Sequence, residues 1–550
     1  MHLRARLRGI QASNLVLLVI LILFAFYAGV FIYKSSFMIV AEDTRYFTLF
    51  DDAMISMQYA KNLANGDGLV WNAGGERVEG FSNPLWVFIM AAIHLLPLPV
   101  PKMSLAVQIL GAILLLLNLI FVKLAGDEIS EKNIFVSIGA VLLTALYYPL
   151  NNWALLGNEV SLLALLITIS IWLVFKGFRQ GQVSKWIYPL MAIGLFVRMD
   201  ALVPFTVILL FLIVFDSAHR MTHIKWGVGF IVGALLLQTA LRYAYYGDVL
   251  PNTYYLKMTG ISLISRITRG GYVFFKFIWN LNWILFLLPF IICLIIRNPG
   301  SNLLMLVVAA QMLYSIYAGG DAWEHRGGSN RFIAIVMPLF FILFTYSFER
   351  LRQSLLAYSE MTDSKLTRAF SWIAVSAIVL LGVINFNSLL DTESLKYLFL
   401  QGVPLFVEGN ERNTTIGLYV KEITEEDAKV AVVVAGAIPY YSDRFSIDLL
   451  GKNDKLIARS EMKPTGGTSP LDFRPGHSKW DYAHSIGDQR PDVIVELWAG
   501  TSDEAAPYME EYVVIEVGAL SHFLYKGRIY LRRGSEQVNW DRADVVPLNP

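Results

Sequence analysis

The stretch Phe50–Trp86, FDDAMISMQYAKNLANGDGLVWNAGGERVEGFSNPLW, decides the fold. It follows an apolar run from Leu15 of about 20 residues, the length that crosses a hydrocarbon core of about 30 Å. Two adjacent carboxylates, Asp51 and Asp52, therefore sit at a membrane surface, where ionisable groups are costly and point to function. AMISMQYAKNLANG behind them reads as a helix that the acids would also cap. Gly66, Gly68, Gly74 and Gly75 read as turns. The segment then runs into PLWVFIMAAIHLLP, Pro84–Pro97, which reaches only about 21 Å as a helix. It is expected to lie along the interface rather than to span.

Composition supports the same class. Of 550 residues, 55% are hydrophobic and 16% charged, which excludes an ordinary soluble enzyme and predicts a mainly α, polytopic membrane protein. A net charge of +1 gives no basic field for nucleic acid. The single cysteine, Cys293, lies in an apolar run and reads as packing, and no disulfide forms within one chain. Arg4, Arg6 and Arg8 precede the first apolar run, which is too long for a cleaved signal peptide and reads as an anchor with its arginines in the cytoplasm.

About eleven apolar runs qualify or nearly qualify as spans, Val273–Ile296 among them. With Pro84–Pro97 in plane, one set of connections holds Lys123, Lys132, Lys176, Arg179, Lys185, Arg220, Lys225, Arg297, Arg350, Arg352, Lys365 and Arg368. The opposite short connections carry far fewer basic residues, the positive-inside pattern. Counting Pro84–Pro97 as a span would invert it. The expected division is a transmembrane catalytic domain over residues 1–389, with a first extracytoplasmic loop at 34–103, and a soluble extracytoplasmic α/β domain over 390–550. In the latter, β-branched runs at Val430–Val434, Asp492–Glu496, Tyr512–Val517 and Ile529–Arg532 alternate with helical stretches. AGAIPYYSD there has too few glycines for a dinucleotide loop.

This topology gathers every unusual polar cluster on the extracytoplasmic face of a cell membrane. Asp51 and Asp52 are the candidate catalytic acids, since mutual repulsion and desolvation can raise one of them into the range of a general base while its neighbour positions substrate or metal. Glu79 and Asn83, beside the in-plane helix, could hold sugar hydroxyls or cap that helix. Glu159 opens a span, where the helix dipole also favours an acid. Arg198 and Asp200 interrupt an apolar run, which a mutual ion pair explains as well as ligand binding does. GDVLPNTYYLK, Gly247–Lys257, offers Asn252, Tyr254, Tyr255 and Lys257, the mixture of cation and rings that a polyprenyl phosphate needs, or an aromatic belt. GGDAWEHRGGSNR, Gly319–Arg331, adds Asp321, His325, Arg326 and Arg331 on a glycine-rich loop that could order over substrate. No HExxH, GxSxG or CxxC motif occurs, which argues against a protease, a serine hydrolase or a zinc site. No cofactor follows from the sequence, and a divalent metal at the paired acids is left open.

The first loop, with Gly157/Glu159, Arg198/Asp200, YYGDVLPNTYYLK, YAGGD, AGAIPYYSDRFSIDLLGKND and PGHSKWD, resembles the bacterial GT-C glycosyltransferases. The group it is most similar to contains the mycobacterial terminal arabinofuranosyltransferase of arabinan synthesis. The resemblance implies a multispanning transferase that takes sugar from a polyprenyl phosphate and passes it, with inversion, to an acceptor hydroxyl. It implies that a first-loop aspartate is the base, Asp51 with Asp52 second, and that the soluble domain covers the site, His477 of PGHSKWD being a candidate site residue. The family's Gly-Met-Glu run appears as Gly157-Asn158-Glu159 and its Arg-Pro-Asp-Gly run as Arg198-Met199-Asp200-Ala201, departures that bear on the donor sugar. Nucleotide sugars are cytoplasmic, so an outward-facing site needs a donor already carried across on lipid. The rival reading is a lipid-sugar flippase, which would need charges near the midplane and repeated halves. An asparagine-directed oligosaccharyltransferase would carry a WWD motif, and no Trp-Trp pair occurs.

Overall fold

A computed structural model describes residues 2–39, 42–324, 330–358, 365–388, 393–463, 469–516 and 528–543. The chain is mainly helical. Helix α1, His2–Lys34, leads into a hairpin of β1, Ser36–Ile39, and β2, Thr44–Phe47. Helix α2, Asp51–Asn65, carries the paired acids in its first turn. It ends where Gly66 takes a left-handed conformation (φ 94°) and its N–H closes on Asn62 and Leu63 carbonyls, a stop that suits glycine. Helix α3, Pro84–His94, begins at a proline whose missing N–H costs nothing in a first turn. At 11 residues it is about 16 Å long and cannot cross a bilayer.

Among the described residues, six helices are long and apolar enough to span a membrane, or up to eight if each of two bent pairs counts as one span. The remaining expected runs form the shorter apolar helices Ile187–Val197 and Met199–Phe215, and the helix Met337–Tyr358, whose C-terminal half carries Glu349, Arg350 and Arg352. Two runs differ from their reading. Ile134–Leu150 is broken, its helix Ile134–Ala145 bending by 52° into Tyr148–Leu155. Val273–Ile296 is not continuous either: helix Leu263–Asn280 turns by 98° into helix Trp283–Ile296. This second break falls at Asn282, which sits at φ 62° and caps the second helix with its side chain, a conformation asparagine tolerates better than most residues. Arg266 and Arg269 on the first of these helices point inward to the carbonyls of Tyr317, Gly319 and Asp321, while Ile264, Phe275 and Trp279 are exposed. An apolar face turned outward over a polar one turned inward is the arrangement of a lipid-contacting surface.

The C-terminal region holds a five-stranded sheet in the order β4-β3-β5-β7-β6. Strands β3 (Lys429–Val432), β4 (Phe445–Asp448) and β5 (Val493–Ile494) run parallel, while β7 (Arg528–Arg532) pairs antiparallel with β5 and with β6 (Tyr512–Glu516). The carboxyl end of β3 and the start of β4 abut α2 and the loop after it. Trp71 Nε1 donates to Ala435 O (3.1 Å), Asn72 exchanges two hydrogen bonds with the Ser446 backbone (2.9 and 3.0 Å), and Lys61 pairs with Asp443 (2.5 Å). At Gly436 there is no room for a side chain, since a Cβ would lie 2.1 Å from Asp51 O.

Gly436→Ala should therefore loosen this contact, by about 1–3 kcal/mol as overpacked sites typically do. Faster limited proteolysis of the C-terminal region, with the helical part still intact, is the expected result; an unchanged cleavage rate would show that the contact yields freely.

Candidate functional site

The adjacent acids have different surroundings. Successive helical residues project about 100° apart, so a pair at positions 51 and 52 cannot face one partner. Asp51 turns to the C-terminal region, where its Oδ1 accepts the N–H groups of Gly436 (3.1 Å) and Ala437 (2.9 Å) at the start of helix Ala437–Ser442. Asp52 lines a cavity between α2, the segment Gly80–Asn83, Asn158–Glu159, Arg198, Thr253, Lys257, Arg331 and Lys452. Arg331 Nη1 donates to its Oδ2 (2.7 Å) and the Lys452 ammonium to its Oδ1.

Electrostatics follow from these partners. Burial is the largest influence on both acids and pushes each upward. At Asp52 it is outweighed by Lys452, then Arg331 and Lys257, which hold the carboxyl well below the usual range. At Asp51 the two backbone N–H groups and the more distant Lys452 only partly offset burial, and the carboxyl is pushed up to about 6. Lys257 lines the same cavity and is pulled down to about 8, by burial first and then by Arg331 and Lys452, against the opposing pull of Asp52 and Asp321. Its ammonium donates no hydrogen bond to any described residue.

The other cavity cations are braced. Arg331 forms a bidentate pair with Asp321 (2.8 and 2.9 Å) and lies over the Trp153 ring (5.1 Å). Asp321 follows Gly319 and Gly320, both at positive φ (86° and 78°), the turn that Arg266 and Arg269 hold from below. Arg198 is bidentate to Asp200 (2.8 and 2.7 Å) and reaches Glu159 (3.2 Å). Asn83 donates to Glu159 (2.8 Å) and accepts from Ser56 (3.0 Å), so one hydrogen-bonded chain runs along a wall of the cavity.

Of the sequence candidates, Asp52, Asn83, Glu159, Arg198, Lys257 and Arg331 line this cavity, with Asp200 and Asp321 directly behind them. The others are elsewhere. Glu79 pairs with Arg242. On helix Asn252–Met258 it is Thr253 and Lys257, four residues apart and on one face, that reach the cavity. Tyr254 is partly exposed, and Tyr255 lies under Arg459 (4.2 Å). Asn252 holds a loop of the C-terminal region. The half-buried His477 packs edge-on to Trp323 (5.6 Å) and beside Trp498 (5.7 Å), its ring pulled down to about 4 chiefly by burial and then by Lys452. His325 and Arg326 lie outside the described residues. Sequence reasoning missed Lys452, although GKND stands in a quoted segment; the signal was a glycine-marked turn at the carboxyl end of a parallel strand, where α/β sheets present ligand-binding groups. Among the described residues no three His, Cys, Asp or Glu side chains gather as a metal-holding group.

Residues 405–539 match a family model described as "Domain of unknown function (DUF8728)". No curated protein sequence matches the chain. Solved structures share its fold, three of them as follows. ArnT from Cupriavidus metallidurans in the apo state superposes with a TM-score of 0.54 at 12% identity, over 93% of this chain and 97% of that one. The same protein bound to undecaprenyl phosphate gives 0.51 at 11%, over 97% and 98%. The archaeal oligosaccharyltransferase AglB from Archaeoglobus fulgidus, in complex with an inhibitory peptide and a dolichol-phosphate, gives 0.50 at 10%, over 97% and 75%. The chain thus has the GT-C fold.

The Asp51 environment carries a pH signature. Burial pushes its carboxyl up to about 6 from the ordinary 3.8, so between those values the folded protein binds the proton that the unfolded chain releases. Stability contributed at this position is lost as pH rises through that window and stays lost above it. Asp51→Asn, whose amide oxygen can accept the same two N–H bonds, should gain on the wild type from pH 4 to pH 6 and run parallel above. Thermal unfolding across that range reads the difference; parallel curves throughout would contradict the assignment.

Proposed function

We propose that the protein is a membrane glycosyltransferase that moves a sugar from a polyprenyl-phosphate donor to a hydroxyl of a cell-envelope glycan or another acceptor. The observation that carries the reading is Lys257. An ammonium turned into a cavity without a hydrogen-bonded counter-ion is unfavourable, and a phosphate oxygen removes that penalty with a charge-assisted hydrogen bond. The bound lipids of the two fold relatives support it, being undecaprenyl phosphate in ArnT and a dolichol-phosphate in AglB. The basic-residue asymmetry of the connections supports an extracytoplasmic site, and the first-loop resemblance supports arabinofuranose as the sugar.

The chemistry is a single displacement. The acceptor oxygen attacks the anomeric carbon, the bond from that carbon to the phosphate oxygen breaks, and the lipid phosphate leaves with the electron pair. Attack opposite the leaving group inverts the anomeric centre. Asp52 takes the acceptor's proton, because of the paired acids it is the one with a face in the cavity, Glu159 being held by Asn83 and Arg198, and geometry takes precedence over proton affinity in choosing a base. Asp51, occupied by Gly436 and Ala437, docks the two parts of the chain. Asn83 and Glu159 offer an amide and a carboxylate to sugar hydroxyls, and Arg331 and Lys257 serve the phosphate.

Purified protein incubated with a panel of polyprenyl-phosphate sugars should release polyprenyl phosphate with one of them, polyprenyl-phosphate arabinofuranose first. Asp52→Asn should lower kcat by about 10²–10⁴, whereas Asp51→Asn should retain most activity. Lys257→Gln should raise the KM for donor about tenfold or more while kcat changes less, the pattern of lost ground-state binding. A wild-type protein inert toward the whole panel would remove the transferase reading, and an active Asp52→Asn would remove the base.

A further inference from the structure

The chain leaving β4 forms a tight loop whose shape is fixed from two sides. From within the C-terminal region, the buried Asp448 carboxylate accepts the N–H groups of Leu450 (2.9 Å), Gly451 (3.1 Å) and Asn453 (2.8 Å) and the Asn453 amide (3.0 Å). Gly451 is at φ 81°, where a side chain would strain the backbone. From the helical part, the Asn252 amide donates to the carbonyls of Gly451 (3.0 Å), Lys452 (2.9 Å) and Asp454 (3.2 Å). Asn252 is itself buried and held, its N–H on Glu79 O (3.1 Å) and its Oδ1 under Arg459 Nη1 (3.2 Å). The product of this bracing is one direction for Lys452, out of the sheet edge, into the cavity and onto Asp52.

We propose that Lys452 belongs to the transfer site and neutralises the lipid phosphate as the sugar leaves it, and that Asn252 is the residue that positions it. The proposal rests on the transferase reading. A polyprenyl-phosphate sugar is a phosphodiester with one negative charge. As the anomeric carbon–oxygen bond breaks, the phosphate becomes a monoester and gains a second. In the same step Asp52 accepts the acceptor's proton and loses its charge. Lys452 therefore loses its anion at Asp52 as another develops on the phosphate, and the ammonium can turn from one to the other without crossing the cavity. Lys257 has no carboxylate to release and serves the charge present before and after transfer. The two lysines divide the work, Lys257 in binding and Lys452 in the transition state, where an added charge interaction speeds the chemical step rather than tightening the complex.

The test is steady-state release of polyprenyl phosphate from the active donor by the full-length protein. Lys452→Gln should lower kcat by about 10²-fold or more, as loss of one preorganised donor to a developing oxyanion does, with donor KM held within threefold of wild type. Lys452→Arg should recover activity to within about tenfold of wild type, since the charge is kept but its geometry is not. Asn252→Ala should lower kcat in the wild-type background and do nothing further in Lys452→Gln, the non-additivity of two residues acting through one group. An unchanged kcat in Lys452→Gln, or an Asn252→Ala loss that adds in full to that of Lys452→Gln, overturns the proposal. A wild-type protein inert toward every donor fails differently, because it overturns the transferase reading beneath it.

Discussion

A carboxylate shielded from water has to find positive charge, and the charges Asp52 finds come from far along the chain. Arg331 is 279 residues away in sequence and Lys452 is 400 away. Neither is free to drift. Arg331 is locked to Asp321 by two parallel hydrogen bonds, and Asp321 is fixed by a double-glycine turn that Arg266 and Arg269 tie to the amphipathic helix Leu263–Asn280. Lys452 is locked by Asp448 and Asn252. The ion pairs at Asp52 thus join α2, the helical part around Arg331 and the C-terminal sheet at one point. Breaking a shielded pair from one side leaves an uncompensated charge, which is why such a junction is unforgiving of change in any of its three parts.

Adjacent acids in a first turn read alike in sequence and behave differently in structure because a helix rotates them apart. Asp51 spends both backbone N–H bonds on an interface, and its raised proton affinity comes from burial there, not from tuning for catalysis. Asp52 has the lower affinity because its cations are close. In the proposed transfer, proton affinity by itself would choose Asp51 as base, whereas access to the cavity favours Asp52. The conflict resolves if the cations shift toward phosphate during transfer, since a carboxylate relieved of Lys452 binds a proton more tightly than one that holds it.

Much of the fold was legible because its signals are long and physical. Apolar runs of span length and the shortness of Pro84–Pro97, 14 residues against the roughly 20 that cross, both rest on bilayer thickness. The expected strand runs match β3, β5, β6 and β7, but β4 went unread, for FSID is four residues with its phenylalanine exposed and a serine and an aspartate buried. The turn at Asn282 was hidden because apolar composition continues through it. Within the site, charged residues at span ends were legible as a group, since isolated charge beside lipid is rarely idle. Which member faces the cavity was not. Tyr254 and Lys257 are three residues apart on one short helix, yet the lysine enters and the tyrosine is partly exposed. Lys452 went unread for a further reason: it stands in a polar stretch where a lysine is inconspicuous, and its one signal, the turn at Gly451 after β4, depended on a strand that was itself unread.

The polar wall of the cavity has a different character from its cations. Ser56, Asn83, Glu159, Arg198 and Asp200 form an unbroken chain in which each group already has a partner within 2.7–3.2 Å. Satisfied groups of this kind hold a shape at low cost, because no member gains by moving. A sugar hydroxyl meeting such a wall is read by fixed positions, and a mismatched sugar would have to break a bond that nothing replaces. On the proposed reaction, donor choice would belong to the wall and charge neutralisation to Lys257, Arg331 and Lys452. The departures at Asn158 and Met199 adjoin the wall's own Glu159, Arg198 and Asp200 in sequence, so under the proposed function they bear on the sugar more than on the transfer step.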